Sequence, residues 1–246
     1  MSAAAQPQPA VWARGLTRRF GSFTAVDAID LDIPPGEVFG FLGANGAGKT
    51  TAIRMLCGLL KPSDGEARVA GFRVGAESER LKRRIGYMSQ RFSLYGDLSV
   101  RENLEFFGGI YGIEGEALGE RSDQLLPRLD LVGREEELAA SLPLGYQQRL
   151  ALGCALLHGP AVLFLDEPTG GVDPLARRRF WDLIYEQAAG GVTVFVTTHY
   201  MDEAEYCGRV SIMVSGRIVA LGSPAELKRE SGGGTMQEVF LKVVAP

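Results

Sequence analysis

Eight consecutive residues constrain this chain more than any others. Gly43-Ala44-Asn45-Gly46-Ala47-Gly48-Lys49-Thr50 fills every fixed position of the pattern G-x-x-x-x-G-K-[ST]. The octapeptide follows an apolar stretch without alternation, 37–42, and runs into apolar residues at helical spacing, Ile53, Leu56, Leu59 and Leu60. A strand buried on both faces, a glycine-rich turn and a helix start are the context the pattern requires. Glycines let backbone N–H groups wrap a phosphate without Cβ clashes, and the helix N-terminus adds partial positive charge. At this spacing Lys49 would reach β- and γ-phosphates, and the Thr50 hydroxyl would ligate Mg²⁺. A glycine-rich turn that matched by chance would lack the flanking strand and helix.

Segments 161–165 and 191–196 are further apolar runs of strand length. Pro34-Pro35-Gly36 is a turn separating a strand-like segment, 28–33, from 37–42. Strands alternating with helical patterns predict an α/β fold built on a parallel sheet. Residues 92–158 read instead as a helical insertion between strands. Ser99-Val100-Arg101-Glu102 is a capping box, Leu104, Phe107 and Tyr111 follow at helical spacing, Leu125 to Leu131 close a second helix, and 147–158 forms a third. After it, Ser215-Gly216 predicts a hairpin, with two short amphipathic helices in a C-terminal extension over about 222–246. Residues 1–10, rich in Ala, Pro and Gln, read as a disordered tail before a single domain, 11–246.

Asp166-Glu167 closes the apolar run 161–165. A carboxylate at the end of a buried strand beside a phosphate loop is the expected Mg²⁺ partner, and Asp166 has that position. Glu167 is the candidate general base for activating water. Without the phosphate loop, the pair would read as a solvated acidic turn.

Composition narrows the class. The net charge of −4 argues against a nucleic-acid partner, and Arg177-Arg178-Arg179 reads as a solvated helix face. Cys57, Cys154 and Cys207 are odd in number and far apart, which predicts no disulfide framework and fits a reducing compartment. The apolar runs fall far short of the roughly 20 residues a membrane helix needs, and the N-terminus lacks the pattern of a secretory signal.

With these residues in view, the sequence resembles the ATP-binding subunits of ABC transporters, over roughly residues 11–243. It is most similar to those serving ABC-2 type exporters, multidrug exporters among them. Asp166-Glu167-Pro168-Thr169 matches the family's second nucleotide motif, and Gly170-Gly171-Val172-Asp173-Pro174 its D-loop. Gln90 matches the Q-loop, His199 the switch histidine, and Phe20 the aromatic position that stacks on adenine. The resemblance implies a RecA-like P-loop core, an N-terminal antiparallel β-subdomain and the helical insertion. It implies ATP and Mg²⁺ as ligands, with catalysis by Glu167, His199 and Gln90. Nucleotide contacts would come from Phe20, the whole 43–50 loop, Thr51, Ser141, Gly145 and Asp173, and metal contacts from Thr50, Gln90 and Asp166. Phe92, Leu94 and Tyr95 would meet a coupling helix of the membrane subunit.

One motif departs from the family. Where its signature has a serine and a glycine, Leu142-Pro143-Leu144-Gly145 has Pro143 and Leu144. Proline supplies neither a hydroxyl nor an N–H, so Ser141, Gly145 and the helix N-terminus behind it become the candidate phosphate contacts. The implied function is ATP hydrolysis powering export through a separate membrane-spanning ABC-2 subunit. It implies a peripheral location on the cytoplasmic face of the membrane, and a second ATP-binding subunit completing both sites. A cytosolic ABC ATPase without a membrane partner, an ATP-binding regulatory module and an importer subunit are the alternatives.

Overall fold

The computed structural model describes residues 8–90 and 93–244. An antiparallel sheet opens the chain. β1 (Val11–Phe20) pairs with β2 (Phe23–Ile33) and with β4 (Asp64–Val69), which in turn pairs with β5 (Phe72–Arg73). Ala10, part of the expected tail, is held on both sides of this sheet. Its N–H donates to Ile33 O and its carbonyl accepts from Ala70 N, both at 2.8 Å. Residues 1–7 of that tail lie outside the described residues.

A second sheet carries the order β10-β9-β3-β8-β7-β6: β10 (Arg217–Gly222), β9 (Arg209–Val214), β3 (Val38–Leu42), β8 (Thr193–Thr198), β7 (Val162–Asp166) and β6 (Ile85–Met88). Only the β9–β10 hairpin, turning at Ser215-Gly216, is antiparallel; the other four pairings are parallel. The strand predicted at 191–196 lies at Thr193–Thr198, because Gly191 is a left-handed turn residue after α6 (Pro174–Ala189).

The three central strands are buried at every position, so side chains alternate between two apolar layers. Phe39, Phe41 and Phe164 surround Phe195 on one face, at ring distances of 5.3–5.5 Å, together with α1 (Lys49–Leu56) and the antiparallel sheet. Leu163, Leu165, Val194 and Val196 face the other way, onto α6 and the helical insertion.

Three helices lie between β6 and β7: α3 (Val100–Ile110), α4 (Gly115–Arg128) and α5 (Leu144–Leu156). The capping box at α3 is formed in both directions between Ser99 and Glu102. Helix α5 starts three residues before the predicted 147 and ends two before 158, because Pro143 can precede a helix but not continue one. Three further α-helices, α2 (Ser78–Lys82), α7 (Pro224–Glu230) and α8 (Met236–Val244), lie outside these layers. Among the described residues, no helix is long and apolar enough to cross a membrane.

Candidate phosphate-binding site

The parallel order β3-β8-β7-β6 brings four chain segments to one edge of the sheet. The carboxyl ends of these strands lead to Gly43, His199, Glu167 and Gln90, the edge where open α/β sheets hold ligands. Register makes the alignment specific. Asp166 lies opposite Thr197, and Leu42 opposite Thr198.

Gly48 caps the start of α1 at φ 110°, where a Cβ would stand 2.4 Å from Ala25 O. Any larger residue would collide with the β2 backbone and break the loop. Lys49 folds back over the loop, donating from Nζ to Gly43 O at 2.7 Å and Ala44 O at 3.2 Å. Its ammonium also lies 3.3 Å from Glu167 Oε1, with the side chains 4% and 8% exposed.

Glu167 is the centre of the arrangement. Gln90 Nε2 donates to its Oε2 at 2.9 Å, and His199 Nδ1 lies 3.1 Å from the same oxygen. Its backbone has φ 51°, a strained conformation for a non-glycine residue that costs about 1–3 kcal/mol. Thr197 holds it there, because the Glu167 N–H donates to both the Thr197 carbonyl (3.1 Å) and its Oγ1 (3.0 Å).

Asp166 sits behind. Its Oδ1 accepts from Thr197 Oγ1 at 2.7 Å and Thr50 Oγ1 at 3.2 Å. Burial pushes its carboxyl up from the usual range, while the Thr197 and Thr50 hydrogen bonds pull it down. Its Oδ2 is buried with no hydrogen-bond partner among the described residues. An orphaned carboxylate oxygen beside a threonine hydroxyl fits a hard divalent cation that completes its shell with water and phosphate oxygens.

An open cavity of about 520 Å³, large enough for a nucleotide, lies over the loop, Gln90 and Glu167, and Asp166 and His199 are not among the described residues of its lining. Asn45, Gly46, Gly48, Lys49, Thr50, Thr51, Gln90 and Glu167 line it. Ala44 and Ala47 instead border a smaller cavity on the other side of the loop, toward Phe240 and Val244 of α8.

The aromatic in the main lining is Phe23, 63% exposed, and not Phe20. The two flank a two-residue hairpin and are paired across it, and the Phe20 ring lies 4.4 Å from the Arg18 guanidinium. No strand periodicity separates the two, because residues paired directly across an antiparallel hairpin share one face of the sheet. Thr197 was also missed. It lies two residues before His199, and its role depends on the β7–β8 register.

The signature residues lie elsewhere. Pro143 caps α5 without a side-chain acceptor, exposed Ser141 donates to Leu138 O at 2.7 Å, and Gly145 packs against Ala176 of α6. Asp173 caps α6, its Oδ1 accepting from Leu175 N and Ala176 N at 2.9 Å each. Backbone hydrogen bonds, that of Ala176 first, hold its carboxyl below the usual range. Ser141, Gly145 and Asp173 are not among the described residues lining the cavity over the phosphate loop. Leu94 lines a separate groove with Tyr87, Phe107 and Tyr111, and exposed Tyr95 stacks edge-on against Phe106. Phe92 lies outside the described residues.

The sequence profile of the ABC transporter family matches residues 26–170, more than half of the chain. The chain belongs to the ABC transporter family. It is an ATPase cassette of that family, and its α/β architecture is that of the nucleotide-binding domain. Over 237 residues it is 46% identical to the Escherichia coli probable multidrug ABC transporter ATP-binding protein YbhF, covering 94% of this chain and 41% of YbhF. The cassette thus spans less than half the length of that relative. It is 39% identical over 232 residues to the daunorubicin resistance ATP-binding protein DrrA3 of Streptomyces coeruleorubidus, covering 94% of this chain and 73% of DrrA3. Among solved structures, it superposes with a TM-score of 0.79 and 25% identity on the dimeric post-hydrolysis state of the ATP-binding cassette MJ0796 bound to ADP and Pi, covering 87% of this chain and 98% of that one.

Proposed function

We propose that this cassette hydrolyses ATP to power export of a drug-like or lipophilic substrate through a separate ABC-2 type membrane subunit, at the cytoplasmic face of the membrane. The observation that carries the chemistry is the convergence of Lys49, Gln90 and His199 on the Glu167 carboxylate. Each comes from a different segment, and each has a separate task at a γ-phosphate.

A triphosphate on the loop competes with Glu167 for the Lys49 ammonium. Lys49 then turns to the phosphate, and Glu167 keeps Gln90 and His199 as partners. The released carboxylate orients and deprotonates the attacking water, and the imidazole of His199 contacts the γ-phosphate. Thr50, Asp166 and Gln90 would hold Mg²⁺, which when bound neutralises charge on the β- and γ-phosphates. The strained Glu167 backbone, anchored by Thr197, keeps the base in place.

The signature residues belong to the other half of the reaction. Ser141, Gly145 and Asp173 lie away from their own chain's cavity, which supports a second ATP-binding subunit, in the simplest case another copy, receiving them. The MJ0796 cassette is a dimer in its ADP and Pi state, and the same assembly is proposed here. With Pro143 as cap, the first turn of α5 faces the partner's γ-phosphate through backbone N–H groups. The export reading draws on YbhF and DrrA3, whose names tie them to multidrug and daunorubicin resistance. The groove at Leu94 and Tyr87 is then the seat of the membrane subunit's coupling helix.

Tagged cassette would be recovered from detergent-solubilised membranes of its native host. A stoichiometric polytopic membrane protein is the expected companion. Recovery with ribosomes, with DNA or alone would replace the exporter reading with a cytosolic ABC ATPase.

A further inference from the structure

The basic run Arg177-Arg178-Arg179 separates into two kinds of residue. Arg178 and Arg179 are exposed and pair with surface carboxylates, as expected of a solvated helix face. Arg177 is only 19% exposed and turns the other way, onto the loop that carries His199. Its Nη1 donates to Asp202 Oδ2 at 3.4 Å, and its Nε lies 3.5 Å from Glu203 Oε1. The guanidinium also lies 4.6 Å from the Tyr200 ring centroid. Tyr200 in turn packs on His199, with ring centroids 4.2 Å apart.

Glu203 makes the contact consequential. It is fully buried, its Oε1 accepts from Thr169 Oγ1, and its Oε2 has no partner among the described residues. Thr169 is two residues beyond Glu167, at the start of the turn that ends in Asp173 and α6. One buried carboxylate therefore joins the turn after the candidate base to the loop after the switch histidine. Arg177, four residues into the helix capped by Asp173, is the cation that balances it.

We propose that Arg177 is a positioning residue. It sets the His199 ring against Glu167 through Tyr200, and so passes the position of the Asp173 turn and α6 to the hydrolytic site. A partner subunit pressing on that turn would shift α6, and the guanidinium would carry the shift to the imidazole. The proposal rests on the reading of His199 as a γ-phosphate contact.

Arg177→Lys separates positioning from charge balance. Lysine keeps the cation beside Glu203 but loses the planar stack on Tyr200. The expected result is kcat lower by about ten- to a hundredfold, the cost of a misplaced group, with KM for ATP and melting temperature near wild type. Tyr200→Leu breaks the same route without touching the buried charge, and should lower kcat similarly. Because both act through one contact, the double variant should be no slower than the slower single one. Wild-type kcat in Arg177→Lys, or multiplying losses in the double variant, would overturn the proposal. If Arg177→Lys does not fold, Tyr200→Leu decides alone: wild-type kcat there overturns it. His199→Ala is measured in parallel. Full turnover in His199→Ala overturns the underlying reading, whereas loss there with full turnover in Arg177→Lys overturns this proposal only.

Discussion

The Lys49 ammonium lies 3.3 Å from the Glu167 carboxylate, and both side chains are almost wholly buried. The proposed phosphate-binding cation and the proposed hydrolytic base therefore neutralise one another. Removing one partner of such a pair leaves an uncompensated buried charge, typically at a cost of about 3–5 kcal/mol.

Lys49→Ala removes both the phosphate contact and this pairing. ATP affinity, followed by fluorescence of a labelled nucleotide, is expected to drop at least a hundredfold. Unchanged affinity would remove Lys49 from the phosphate site.

Glu167→Gln keeps the shape and hydrogen-bonding reach of the side chain but not its basicity. Affinity for ATP should be retained, or rise as Lys49 loses a competing anion. Turnover should decline by about 10²–10³-fold, within the usual contribution of a general base. Size-exclusion chromatography with ATP should show accumulated dimers. Near-normal phosphate release would mean the base lies elsewhere.

Phe23, and not Phe20, lines the cavity over the phosphate loop. Loss of one aromatic stacking contact is worth about 1 kcal/mol, so Phe23→Ala should weaken ATP binding roughly fivefold, with a smaller effect for Phe20→Ala. Titration of both variants with a labelled nucleotide checks the order. The reverse order would mean that the hairpin between them rearranges when the base arrives.

Pro143→Ser should act twice. Serine is a preferred N-cap and would add about 1 kcal/mol to the start of α5, visible as a melting temperature raised by a few degrees. Its hydroxyl would also reach toward the partner's phosphate, and ATPase activity should increase. A raised melting temperature with unchanged turnover would show that the proline form does not limit the reaction.

His158 is expected to make stability depend on pH in the acid range. Its ring stacks on Tyr111 at 3.6 Å and its Nε2 lies 2.9 Å from Ile85 O. Burial lowers its pKa, against the backbone contact to Ile85, so the native state takes up a proton less readily than the unfolded chain. The linked stability is present above the unfolded value of about 6.5 and declines as pH drops from there toward the lower native value. Melting curves of wild type and His158→Gln between pH 7.5 and about 5 should diverge in slope, the variant losing less. Parallel curves would assign the sensitivity to other groups.

Much of the fold was legible because it is local. The phosphate loop, the α3 capping box and the Ser215-Gly216 hairpin each depend on a few neighbouring residues, and Lys49 and Thr50 are placed by the loop that contains them. Unalternating apolar runs marked the central strands, since a strand buried on both faces has no polar side to show. The boundaries of α5 and β8 shifted by a few residues, where a proline and a glycine overrode the apolar pattern.

What sequence alone could not decide was which side chains meet. Glu167, Gln90 and His199 lie on separate segments, and only the strand order β3-β8-β7-β6 puts them on one edge. Thr197 reaches Asp166 and the Glu167 backbone because the β7–β8 register sets it opposite Asp166. Phe20 and Phe23 are paired across one hairpin, and only the tertiary packing shows that Phe23 lines the cavity while the Phe20 ring lies against the Arg18 guanidinium. Arg177 looked like its two neighbours until α6 was packed, when one position of three turned inward onto Glu203 and Tyr200. The chain's local chemistry determined that it would cradle a phosphate. The pairing of distant strands and the rotation of one helix decided which groups gather around the phosphate loop.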